Sequence, residues 1–139
     1  MTAKAEVGTK QYRQELTVDL KQLGRVRRIV SARVRCWGWA PMVDAAVMCV
    51  TELLSNVSKH ADSNECVLLL QSSASGVRIV VSDDSPALPV VREPAWSSES
   101  GRGMFLLAAT ADAWGAAPTG SGKDVWCEIR RPGSEEATA

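Results

Sequence analysis

Apolar residues recur every third or fourth position through two consecutive stretches of this chain, and then that period stops. Leu20, Leu23, Val26, Val30, Val34 and Trp37 form one stripe; Val43, Ala46, Val47, Val50, Leu54 and Val57 form a second. Such spacing predicts two amphipathic helices in succession. Asp19 stands where an N-cap belongs and Gly38 where a C′ glycine belongs, and Pro41 suits the first turn of the second helix. From Glu65 the pattern changes. Glu65–Gln71 and Val77–Ser82 are short, continuous apolar runs joined by SSASG, which reads as a β-hairpin. Gln11–Val18 alternates weakly, as an edge strand does. Met104–Ala113 reads as a third helix and Asp124–Arg130 as a last strand. The predicted order is β-α-α-β-β-loop-α-β. Its apolar faces are buried best by an α+β, two-layer α/β sandwich, with a mostly antiparallel sheet carrying its helices on one face. Residues 1–9 and 132–139 are polar and are expected to be flexible flanks of one domain over 10–131.

The chain has 139 residues, one domain's worth. Sixteen basic residues balance sixteen acidic ones, which argues against direct nucleic-acid binding. No run of 18 apolar residues predicts a membrane span, and the first residues lack the apolar core of a signal peptide, so the cytoplasm is the expected location. Cys36, Cys49, Cys66 and Cys127 form no CxxC pair and the single histidine is His60. Structural zinc is therefore not expected, and the cysteines read as buried free thiols. Most of the five tryptophans read as core or core-edge residues, with Trp96 the exception in a polar loop. The neutral total hides an asymmetry. Residues 19–38 hold Lys21, Arg25, Arg27, Arg28, Arg33 and Arg35 against Asp19, a net of five positive charges. Arg25, Arg28 and Arg35 are candidates for docking an acidic protein or for a homodimer contact, although a plain solvated helix face has the same composition.

Three groups of residues carry chemistry. Glu52, Asn56 and His60 lie at i, i+4 and i+8, within about 80° of one another on the second helix, with Lys59 beside them. A glutamate can take a proton from a hydroxyl, and an asparagine carbonyl oxygen suits Mg²⁺. The same spacing also occurs on ordinary solvated helix faces. Asp83 and Asp84 end the strand VRIVV, where a carboxylate can accept from a ligand amine or simply start a turn. Ser100, Gly101, Arg102, Gly103 and Met104 open the third helix, a glycine-rich start whose free N–H groups attract phosphate. No GxxxxGK[ST] loop is present, and the GxG follows a proline-rich loop rather than a strand, so neither a P-loop nor a Rossmann site is expected.

In that order, ELLSNVSKHA, VSDDSPALP and ESGRGMFLLAATADAWG resemble the N, G1 and G2 boxes of the GHKL ATPase superfamily. The segment EL-x-x-N-x-x-KHA and the ending WGAAPTGSGKDVWCEI are most similar to the anti-sigma-factor serine/threonine kinases, in particular their free-standing actinobacterial form. The resemblance covers residues 10–131. It implies the Bergerat ATP-binding fold, with ATP and Mg²⁺ as cofactors. By match, Glu52 would be the general base, Asn56 the Mg²⁺ ligand and Asp83 the acceptor for the adenine amino group. Lys59, His60, Ser85, Ala87, Gly101, Arg102, Gly103 and Met104 would surround the nucleotide, and residues 87–100 would be its lid. The implied work is to hold a sigma factor and to phosphorylate a STAS-type antagonist.

Two departures stand out. The G1 box is usually D-x-G-x-G, whereas this chain has Asp83-Asp84-Ser85-Pro86-Ala87, with neither glycine. Asp124 falls where many relatives carry a threonine that helps hold adenine, and a second carboxylate there would repel Asp83. The alternative these departures raise is a non-catalytic partner-binding module with a weak nucleotide site.

Overall fold

The change of pattern at Glu65 is the switch from the helical layer to the sheet. The computed structural model describes residues 5–8, 10–60, 63–86, 88 and 102–132. Its strands are β1 (Ala5–Gly8), β2 (Gln11–Thr17), β3 (Glu65–Ser72), β4 (Gly76–Asp83), β5 (Ala113–Pro118) and β6 (Lys123–Arg130), and its helices α1 (Leu23–Cys36), α2 (Val43–His60) and α3 (Arg102–Thr110). The strands form one sheet in the order β1-β2-β3-β4-β6-β5, with every pairing antiparallel. This is the expected α+β sandwich.

Local chemistry sets the helix ends. The Asp19 carboxylate accepts the Lys21 N–H at 2.9 Å and caps a 3-10 turn, Leu20–Gln22, that runs into α1. At the far end Gly38 takes φ +88°, which only glycine adopts cheaply. Its N–H bonds the Arg35 carbonyl and that of Trp39 bonds the Val34 carbonyl, closing a Schellman cap. Pro41 lies in the 3-10 turn Ala40–Met42 before α2.

α2 is the central helix, packed between α1 and α3 and over β4 and β6. It sets Cys49, Val50, Leu53, Leu54 and Val57 against Leu68, Leu70, Ile79, Val81, Val125 and Cys127 of the sheet. The segment Ala40–Lys59 is long and apolar enough to cross a bilayer by length and composition alone, yet half of it is buried in this core.

Both edges of the sheet differ from expectation. Residues 5–8, expected in a flexible flank, form β1 against β2. The third helix, expected over Met104–Ala113, spans Arg102–Thr110, and the following AWGAAP becomes β5 against β6. Neither edge strand alternates clearly, because each is held by its one neighbour rather than by its own pattern. The outer face of the sheet carries Leu69, Val80 and Trp126 in register. The Arg78 guanidinium stacks 5.0 Å from the Trp126 ring centroid, so this tryptophan is not a core residue. Trp37, Trp39 and Trp114 do pack at the core edge, and Trp96 lies outside the described residues. Cys49, Cys66 and Cys127 are buried as expected, whereas Cys36 is exposed.

Candidate functional site

Glu52 lies half-buried on α2 and opens into a groove between α1 and α2 of about 490 Å³. Arg27, Arg35 and Ser31 of α1 form one wall; Met48 and Thr51 of α2 form the other. The Arg27 Nε donates to Thr51 Oγ1 at 3.2 Å, which pins the two helices beside the glutamate. One turn on, Asn56 is turned inward and is 7% exposed. Lys59 is exposed, and His60 is the last residue of α2, its side chain outside the described residues. Arg25, Arg28 and Arg35 are exposed on α1 as expected. Arg33 instead stacks 4.9 Å from the Tyr12 ring centroid.

The end of β4 is closed. Asp83 faces the helical layer with its side chain 1% exposed, and opposite it on β6 stands Lys123, whose side chain is 0% exposed. The Lys123 Nζ donates to Asp83 Oδ1 at 3.0 Å and lies 3.0 Å from Oδ2 and 3.5 Å from the Ser85 carbonyl oxygen. Asp83 Oδ1 also accepts the Ser85 N–H at 2.9 Å. Oδ2 is a buried acceptor that takes no hydrogen bond and is held by the ammonium's charge alone. A Cβ at Gly122 would collide with the Asp83 carbonyl oxygen, so only glycine lets β6 start this close to β4. Next to this pair, Cys66 of β3 is in register with Asp83. Burial first and the Asp83 charge second push the Cys66 thiol up to about 12. Deeper in the core, the Cys127 thiol of β6 faces that of Cys49 on α2. That neighbour and burial hold the Cys127 proton in place well above the usual thiol range.

Asp84 has a structural task. Its carboxylate accepts the Ser63 N–H at 3.2 and 3.1 Å and the Ser63 hydroxyl at 2.5 Å, tying β4 to the residue that leads into β3. Ser85 is buried. Ala87 and Gly101 lie outside the described residues, as does the lid expected between them, apart from Leu88. Arg102 and Gly103 are the first two residues of α3, and Met104, buried, packs its first turn into the core. The glycine-rich segment therefore does open a helix that packs beside α2.

Residues 16–128, from β2 into β6, match the family model of the histidine kinase-like ATPase domain. The chain belongs to that family. Among curated proteins none matches it significantly.

The matched span of this histidine kinase-like ATPase domain includes α2, the end of β4 and the start of α3. Sequence reasoning misplaced one partner there. Asp124 does not repel Asp83: it faces the outer side of the sheet, where the Ser82 hydroxyl donates to it at 2.6 Å. The residue beside Asp83 is Lys123, a cation. The signal was available, since alternation along KDVWCEIR puts 123, 125, 127 and 129 on one face.

Family membership implies nucleotide binding, and the residues fit it unevenly. Glu52 and Asn56 suit a metal–phosphate end. Among the described residues no three His, Cys, Asp or Glu side chains cluster as a metal cage, so Mg²⁺ held through Asn56 would draw on phosphate oxygens. Asp83 Oδ2, buried without a hydrogen bond, suits an amine donor once the ammonium of Lys123 yields.

Proposed function

We propose that this histidine kinase-like ATPase domain is an ATP-binding regulatory protein of the anti-sigma type, acting in the cytoplasm. It holds a sigma factor and phosphorylates a serine or threonine of a STAS-type antagonist. The observation that carries the reading is the placement of Glu52: a carboxylate in an open groove, one wall of which is the basic face of α1. A protein with an acidic surface is steered to Arg25, Arg28 and Arg35, and its hydroxyl reaches Glu52 along the groove. Mg·ATP supplies the phosphoryl group. Glu52 would take the hydroxyl proton while that oxygen bonds to the terminal phosphorus and the bond from that phosphorus to ADP breaks, ADP leaving, and Asn56 would offer its amide oxygen to the metal.

The experiment is phosphotransfer to a purified STAS-type antagonist, comparing the wild type with Glu52→Ala. A loss of about 100-fold or more, with capture of the antagonist unchanged, is expected for a general base. Intact transfer removes Glu52 from that role. A second reading is favoured by the Lys123–Asp83 pair: a partner-binding module without catalysis. It is supported if partner affinity is full without ATP and no phosphate is transferred.

A further inference from the structure

A lysine with no exposed surface, on the core side of a strand, is rare in a fold of this size. Stability does not account for it, because a buried ion pair gains little over apolar residues of the same volume. What the pair does is occupy Asp83. One ammonium is hydrogen-bonded to one carboxylate oxygen and charge-paired with the other, and the Ser85 N–H fills a further acceptor position. The backbone leaves the pair little freedom, since Gly122 locks the start of β6 onto the end of β4.

We propose that Lys123 sets the nucleotide affinity of this site by competing with the amino group of the base for Asp83. The inference rests on the reading that Asp83 receives the base. An amine on a purine only donates, and so does an ammonium, so the two compete for Oδ2, against which the ammonium already stands at 3.0 Å. The charged donor holds a carboxylate more tightly than a neutral one. A full hydrogen bond from adenine therefore requires the Lys123 ammonium to draw back from Oδ2. The wild-type chain is accordingly a weak ATP binder, and the lysine is the residue that sets its affinity.

Calorimetric titration with MgATP and MgGTP tests this on the wild type and on Lys123→Thr, Lys123→Met and Lys123→Arg, with circular dichroism to confirm folding. The wild type should bind MgATP only in the millimolar range. The Thr and Met variants should bind it at least about tenfold more tightly, and the Arg variant should behave as the wild type. The gain should be confined to ATP, because the oxygen at the corresponding position of guanine cannot donate to Asp83. Micromolar binding of MgATP by the wild type overturns the proposal by itself, whether or not the variants fold, and leaves the nucleotide-binding reading intact. An equal gain for MgGTP overturns it as well, since the lysine then acts only by filling space. If no folded variant binds either nucleotide, the placement of the base at Asp83 fails, and the competition with it.

Discussion

Two carboxylates that look alike in the sequence have opposite circumstances in the fold. Glu52 stands in mid-helix, half in solvent, facing a groove walled by arginines. Asp83 stands at a strand end with its side chain 1% exposed, and a lysine that has no exposed surface is bound to it. The first is available for chemistry and contributes little to holding the fold. The second is committed to structure and becomes available only when a cation moves. Availability is thus decided by what lies opposite the carboxylate across the sheet or the groove.

The largest expected effect breaks the closed end. Asp83→Ala leaves a buried ammonium without its counter-charge, and a loss of about 3–5 kcal/mol of stability is expected in denaturant melts. The pair Asp83→Leu with Lys123→Met, apolar and close in volume, should recover most of it; failure to recover means the polar contacts to Ser85 matter more than the charge.

Alkaline pH probes the same end more gently. The Cys66 thiol is raised from an ordinary 9 to about 12, so the folded state holds its proton where the unfolded chain releases it. Stability is full below pH 9 and should fall by up to about 1.4 kcal/mol per unit as pH rises towards 12. Cys66→Ala should flatten that part of the stability–pH curve. An unchanged slope assigns the alkaline loss to another group.

The smallest effect belongs to the open end. Glu52→Ala should change stability by no more than about 0.5 kcal/mol, as half-exposed helix positions do, while removing phosphotransfer. A large destabilisation would erase the contrast with Asp83.

Much of this was legible along the chain. Spacing of apolar residues located α1 and α2, Gly38 located the C-terminal end of the first and Asp19 the 3-10 turn that leads into it, and the SSASG link located the β3–β4 hairpin, because each is a local preference written in consecutive residues. The glycine-rich start of α3 was legible for the same reason. β1 and β5 were not, since AEVG and AWGAAP become strands only by pairing with the strand that follows each. Trp126 was placed on the wrong side for a related reason: a large apolar residue suggests the core, but the pleat assigned it to the outer face under Arg78.

The sequence by itself determined the helix–sheet layering, the acid–amide pair on α2 and the family, because periodicity and motif order survive without coordinates. Only the tertiary structure decided that Lys123 and not Asp124 faces Asp83. A strand presents alternate residues to opposite faces, so one position of register replaces repulsion between two carboxylates by a buried ion pair.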